Sequence, residues 1–237
     1  MNRCKVICHM MTSIDGKIDG KFMEEKGCSI SGNYYDKQIW KLGNANGNGR
    51  TTAQMYFANK DIDYGKYKNT NIDYSDFIVK SDYYWVVFDR TGKCNWNTNI
   101  VNYGEKDANV VMVLTKNVSK EYLAHLQSLN ISYIITGDNE IDLDIALTKL
   151  KKLYGIDNLV LCGGAIINGV FHNNDKLDEI SLVVAPYIEG NNSYKGIAET
   201  NLFTNQCYKF VESKSLEDGA VHLRFKKLLT DSNNQLI

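Results

Sequence analysis

Three stretches of this chain combine residue types and spacing that suit phosphate or dinucleotide chemistry. The strongest is Leu159-Val160-Leu161-Cys162-Gly163-Gly164-Ala165-Ile166-Ile167-Asn168-Gly169, an apolar block that passes through two glycines into a helical pattern. Glycines at such a turn let a phosphate approach the backbone, and the helix start adds unpaired N–H groups with partial positive charge. Gly47-Asn48-Gly49-Arg50-Thr51-Thr52 repeats the arrangement before a short helix expected over 52–57, now with a guanidinium able to pair bidentately with phosphate. Met11-Thr12-Ser13-Ile14-Asp15-Gly16-Lys17-Ile18 leaves the first apolar run and puts Asp15 near a strand end, where open α/β sheets place their ligands. Each stretch also has an ordinary reading: a tight strand-to-helix turn, a capped surface helix with a solvated arginine, and an Asp-Gly turn. Two phosphate-type helix starts in one chain favour a dinucleotide such as NADPH, whose pyrophosphate and 2′-phosphate need separate holds.

Other chemistries find little support. No Lys-Ser/Thr follows the glycines and their spacing is not G-x-G-x-x-G, so neither a Walker A loop nor a Rossmann fingerprint is present. The zinc-deaminase pair H-x-E with P-C-x-x-C and the G-x-S-x-G elbow are also missing. The six cysteines and four histidines are scattered without a C-x-x-C pair, so neither a structural metal nor a disulfide framework is expected. Cys162 sits where a helix start can lower a thiol pKa, but a buried structural cysteine is the ordinary reading. The 27 Lys+Arg against 28 Asp+Glu leave a formal net charge of −1, without the basic footprint of a nucleic-acid binder. No apolar run approaches the ~20 residues that span a bilayer. The first run, Val6 to Met11, is broken by His9 and followed by Asp15, unlike a signal-peptide core. A cytoplasmic protein with neither nucleic-acid nor membrane partners is expected.

The elements that must position these residues alternate between strand and helix. With 237 residues and 43% hydrophobic content, the chain has material for one domain over 1–237. Tyr84 to Phe88, Val110 to Leu114 and Ile180 to Ala185 read as buried strands, Ser132 to Thr136 and Asn158 to Cys162 as further strands, and Cys4 to Met10 as a short apolar run forming the first strand. Helices are expected over Ser31 to Leu42, from a Ser119 cap to Asn130, from an Asp142 cap to Gly155, and after Gly164. Val221, Leu223 and Phe225 alternate with His222, Arg224 and Lys226 as a half-buried strand, pairing across Glu217-Asp218-Gly219 with Tyr208 to Lys214 in an antiparallel hairpin. The expected class is α/β, a mostly parallel sheet closed by an antiparallel end. Residues 59–81, rich in Tyr, Asp and Asn, show no clear period and read as an insertion or lid-like loop.

In this order the motifs resemble the dihydrofolate-reductase-like family, and specifically the reductase domain of the riboflavin-biosynthesis deaminase-reductases in a stand-alone form. Ser13 to Ile18 is similar to the family's S-[LI]-D-G-[KR]-[IT], Gly49 to Thr52 to its G-x-x-T turn, and Val86 to Lys93 to its V-[VL]-D-x-x-[GR] strand exit. The longest match joins Cys162-Gly163-Gly164, Leu177 to Ile180 and Ala185-Pro186-Tyr187-Ile188-Glu189-Gly190. The resemblance implies a three-layer dihydrofolate-reductase-like sandwich and NADPH-dependent reduction of a phosphoribosylamino-pyrimidine or uracil, whose ribosyl group becomes ribityl. Carried over by position, it implies cofactor contacts at Thr12, Ser13, Gly49, Arg50, Thr51, Thr52, Thr115 and the run Gly163, Gly164, Ala165, Ile166, Ile167, Asn168 and Gly169. Asp15 becomes the polar group at the reacting centre, orienting substrate or assisting proton delivery. Ser31, Lys41 and Cys162 become substrate-side positions, and a homodimer is implied.

Three departures fall on or beside the substrate side. Cys162 stands where the riboflavin branch commonly has Glu before the glycine pair, Tyr56 where an Asp often follows the turn, and Lys41 where an Arg ends the first helix. The proline-rich early segment of classical dihydrofolate reductases is absent from a chain whose one proline is Pro186. Two alternatives stand beside the leading reading. One keeps fold and cofactor but takes another pterin, imine or carbonyl substrate; the other is a non-catalytic nucleotide-binding module.

Overall fold

The computed structural model describes residues 2–228. Among them, in chain order, are β1 (Lys5–Thr12), α1 (Ser29–Leu42), β2 (Ala45–Gly49), α2 (Arg50–Tyr56), β3 (Tyr84–Phe88), β4 (Ile100–Tyr103), β5 (Lys106–Leu114), α3 (Lys120–Ser128), β6 (Ser132–Ile135), α4 (Leu143–Tyr154), β7 (Asn158–Leu161), α5 (Ala165–Asn173), β8 (Glu179–Val184), β9 (Tyr208–Ser215) and β10 (Val221–Lys227). The chain divides into two compact units, one built from the first residues to Lys5 with Trp40–Leu159, the other from Val6–Ile39 and the chain from Val160 onward.

In the first unit β2, β3, β5 and β6 run parallel, with Gly49 level with Phe88, Phe88 with Val113, and Val113 with Ile134. β4 pairs antiparallel with the first half of β5. Val-rich β3 and β5 are buried on both faces, as their continuous apolar sequence requires. The helices carry their own stop and start signals. Ser119 accepts from the Tyr122 N–H at the start of α3, Asp142 accepts from the Ile145 N–H at the start of α4, and Gly155 closes α4 with φ +71°. The core gathers Trp85, Val87, Trp96, Met112, Leu123, Leu126 and Tyr133.

β2 was not legible as a strand, because Asn and Gly are poor strand formers. Its sequence Ala45-Asn46-Gly47-Asn48-Gly49 is nonetheless buried, and the Asn48 amide donates to the Asn46 side-chain oxygen on the same face. The 59–81 segment is fastened along its length. Tyr64 donates to Asn95, the Tyr67 hydroxyl reaches Ser128 at 2.7 Å, Asp76 accepts from Lys149 and from the Ile135 N–H, and Phe77 bridges Tyr133. It runs as a strap along α3 and β6.

In the second unit β1 lies parallel to β8, with His9 level with Ser181. β10 pairs antiparallel with both β8 and β9, with an irregularity between Arg224 and Phe225. The expected hairpin forms, turning at Gly219 with φ +85°. Two readings change here. β8 is not buried on both faces; its inward face alternates and carries Glu179, Ser181 and Val183. In β10 the most buried residue is His222, 5% exposed, rather than its apolar neighbours, because its imidazole bonds to Ser181 and Tyr34. The observed class is α/β with mostly parallel pairing and an antiparallel C-terminal hairpin, as expected. No helix of the described residues is long and apolar enough to cross a membrane.

Candidate active site

In the second unit two loops and one helix start carry the predicted residues. β7 ends at Leu161, Cys162 is half-buried, and Gly163 turns the chain with φ +93°. A Cβ on Gly163 would lie 3.0 Å from the Met10 Cε, so the turn has little room for a side chain. The Gly163–Gly164 peptide is cis. Gly164 is the N-cap of nine-residue α5 and offers no side-chain cap, leaving the first N–H groups of the helix to other partners.

Not all of the predicted run faces outward. Ala165 accepts from the Glu199 N–H, Asn168 is fully buried with its amide nitrogen donating 2.7 Å to the Ile197 carbonyl, and a Cβ on Gly169 would overlap the Glu199 carbonyl. These three hold the 197–199 segment against the helix. The Asn168 side-chain oxygen is buried and has no hydrogen-bond partner among the described residues. Ile166 is 63% exposed, an apolar side chain left on the surface at the second helical residue.

The β1 exit is built around Ser13. Thr12 and Ser13 are buried; the Ser13 hydroxyl accepts from the Lys17 N–H and donates 2.6 Å to Asp15. Asp15 is exposed, and its two carboxylate oxygens accept the Glu189 and Gly190 N–H groups, each at 3.0 Å. The Ser13 hydroxyl and then these two N–H groups hold the Asp15 carboxyl down at about 2. Such a carboxylate is anionic at neutral pH, so it can orient or attract a group but has no proton to give.

Ser31 is fully buried near the start of α1. Its hydroxyl donates to the Cys28 carbonyl and its N–H donates 2.7 Å to Asp218. This is a helix-start arrangement, and the hydroxyl is not open to a substrate. Lys41 lies exposed in the last turn of α1, where a cation also suits the helix dipole.

In the first unit the C-terminal ends of β2, β3, β5 and β6 line one edge. Gly49 is the N-cap of α2, again without a side-chain cap; Arg50 and Thr51 are exposed and Thr52 is half-buried. At the β3 exit the buried Asp89 carboxylate accepts from the Thr91, Lys93 and Cys94 N–H groups. It organises the loop that carries Arg90 and Lys93, a role for which the strand-exit motif gave the position but no function. Burial and the nearby Asp89 carboxylate push the Cys94 thiol well up, so this cysteine is inert. Thr115 is fully buried; its hydroxyl donates 2.8 Å to the Arg90 carbonyl and accepts from the Asn117 N–H. That hydroxyl shapes the turn and is not presented to a phosphate. On the same edge Arg90 pairs with Glu140 and Lys116 with Asp138.

Residues 4–236 match the family model described as RibD C-terminal domain. Over 94 residues the chain is 34% identical to a 2,5-diamino-6-ribosylamino-4(3H)-pyrimidinone 5′-phosphate reductase from Aquifex aeolicus, a match covering 40% of this chain and 41% of that relative. Among solved structures it resembles a pyrimidine reductase-like protein from Corynebacterium diphtheriae, with TM-score 0.67, 14% identity, and coverage of 96% of this chain and 92% of that one. It also resembles Acinetobacter baumannii RibD, with TM-score 0.64, 15% identity, and coverage of 96% of this chain but 58% of the longer one. At these identities the structural likeness speaks for the fold.

Proposed function

Because the chain belongs to the RibD C-terminal domain family, we propose that it is an NADPH-dependent reductase of a phosphoribosylamino-pyrimidine or uracil, reducing the ribosyl group to ribityl. The observation that carries this reading is the turn from β7 into α5. Gly163 turns the chain at φ +93°, and half-buried Gly164 begins a nine-residue helix without a side-chain cap. That combination suits the phosphates of a dinucleotide. The residues of the second unit that would hold the cofactor are Gly163, Gly164 and the first turn of α5; in the first unit Gly49, Arg50, Thr51 and Thr52 form a separate candidate phosphate-binding turn.

When bound, NADPH supplies the hydride. The chain's own residues supply placement and field. The α5 dipole and N–H groups would offset phosphate charge in the second unit. Buried Thr12 and Ser13 give the β1 exit a fixed shape, and Ser13 holds Asp15 as a permanent anion beside it. Asp15 would orient a donor group of the substrate or assist delivery, from solvent, of the proton that balances the hydride.

Cys162 in the position where a glutamate was expected favours a second reading, in which fold and cofactor are kept and a different heterocycle is reduced. We also propose a cytoplasmic homodimer: β9 is exposed along nearly its whole length and pairs on one side with β10, the kind of edge that accepts another strand.

The test is to titrate the protein with NADPH and NADH by fluorescence, then add the phosphoribosylamino-uracil and follow the reduced-nicotinamide signal. Tight NADPH binding with oxidation on that substrate is the expected result. Binding without oxidation on this or any related heterocycle would make the chain a nucleotide-binding module. Failure to bind either cofactor would reject the reductase reading.

A further inference from the structure

Residues 187–190, after β8, are joined to the segment between β1 and α1 by four hydrogen bonds. The Ile14 N–H donates 2.7 Å to the Tyr187 carbonyl, and Asp15 accepts the Glu189 and Gly190 N–H groups. In the opposite direction the Glu189 carboxylate accepts the Phe22 N–H at 3.2 Å. Two glycines receive the side chains of this loop. A Cβ on Gly20 would overlap the Glu189 carboxylate, and a Cβ on Gly27 would overlap the Tyr187 hydroxyl. Phe22 and Cys28, buried, pack with Met11, Val183 and Ala185, and Tyr187 packs against the same cluster.

We propose that Tyr187 and Glu189 are positioning residues, whose side chains seat against Gly27 and Gly20 to lock residues 19–28 and the Ser13–Asp15 turn into one rigid surface. The inference rests on the reductase reading, in which that turn borders the reacting centre. Its physical basis is reciprocity. Asp15 fixes the backbone of 189–190, and Glu189 fixes the backbone of the 20–24 turn, so neither loop moves without releasing the other. A small misplacement of an orienting group costs far more in rate than in ground-state binding.

Two pairs of variants test it. Glu189→Ala removes the acceptor for the Phe22 N–H, whereas Glu189→Gln retains an oxygen that can accept it. Expected is a kcat about tenfold lower in Glu189→Ala, with NADPH affinity unchanged and most of the loss recovered in Glu189→Gln. Gly27→Ala drives a methyl into the Tyr187 hydroxyl, and adding Tyr187→Phe removes the atom it meets. The double variant is expected to regain the kcat that Gly27→Ala loses. A Glu189→Ala enzyme with wild-type kcat, or a double variant no faster than Gly27→Ala alone, would overturn the proposal. Should the wild type show no turnover at all, the reductase reading falls and hydrogen exchange still decides the lock. Loss of Phe22 amide protection in Glu189→Ala supports it, and unchanged protection overturns it.

Discussion

The Ser181 hydroxyl lies 2.7 Å from Nε2 of His222, both side chains buried in the β8–β10 pair. The same hydroxyl lies 2.9 Å from Nδ1 of His9, whose Nε2 is 3.1 Å from the Tyr35 carbonyl, and Nδ1 of His222 is 3.0 Å from the Tyr34 hydroxyl. One group fixes the direction of the whole chain. A carbonyl can only accept, so His9 Nε2 carries the proton and neutral His9 has a bare Nδ1. Ser181 then donates to His9 and accepts from His222 Nε2–H, leaving His222 Nδ1 to accept from Tyr34. All four bonds are satisfied with both imidazoles neutral.

Acid is expected to undo this arrangement. Burial lowers His9 from its ordinary 6.5 to about 4 and lowers His222 as well, with Arg224 and Lys214 adding to the effect on His222 and Glu212 opposing it. Because both folded values are depressed, the unfolded chain takes up protons first as pH falls. The stabilisation is complete above about pH 6.5 and is lost progressively toward pH 4 and below, with His9 alone worth roughly 3 kcal/mol. Thermal melts from pH 8 to 4 are expected to show a steep fall in Tm below pH 6.5. A flat profile would mean that one of the imidazoles is already charged.

Ser181→Ala removes the central link and strands a buried acceptor on His9 and a buried donor on His222. At about 1–3 kcal/mol for each unsatisfied group, a loss of roughly 2–6 kcal/mol is expected in urea unfolding at pH 7.5. A change under 1 kcal/mol would show that water replaces the hydroxyl.

This network also marks where the sequence stopped being informative. Tyr84 to Phe88 and Val110 to Leu114 announced their strands because both faces are buried and every residue is apolar, and α4 announced itself through its Asp142 cap, apolar stripe and Gly155. His222 looked like the outward residue of an alternating strand, since its partners Ser181 and Tyr34 are 41 and 188 residues away. The same distance effect governs the candidate site. Asp15 could be singled out from a local motif, but its grip on the Glu189 and Gly190 N–H groups, 174 and 175 residues away, could not.

Asp15→Asn tests that charge. The amide keeps an oxygen toward the 189–190 N–H groups but loses the anion, so NADPH affinity is expected to stay within about twofold while kcat/KM falls about tenfold or more. In the wild type no acid limb from Asp15 is expected between pH 5 and 9, because its carboxyl is held at about 2. Retained turnover in the variant would reduce Asp15 to a turn residue.

Gly169→Ala sets two effects against each other. Replacing a helical glycine by alanine ordinarily gains about 0.5–1 kcal/mol. Here the new methyl meets the Glu199 carbonyl, a backbone atom that cannot rotate aside. Overpacking of this kind costs about 1–3 kcal/mol, so a net loss of stability is expected by calorimetry. A stabilised variant would show that the 197–199 segment yields easily.

Arg50 carries the phosphate test in the first unit. It is the first residue of α2, exposed beside the uncapped start at Gly49, and it has the planar fork that phosphate recognition uses. A charge-assisted pair with the 2′-phosphate is worth about 1.5–3 kcal/mol, so Arg50→Ala is expected to weaken NADPH binding about tenfold or more and leave NADH unchanged. Arg50→Lys keeps the charge but not the fork, and an intermediate loss is expected. Fluorescence titration of each variant with both cofactors separates the outcomes. An equal loss for NADPH and NADH places Arg50 on the shared pyrophosphate, since the two cofactors differ only at the 2′-position. No loss for either removes Arg50 from the cofactor altogether and leaves α5 as the phosphate-binding helix start.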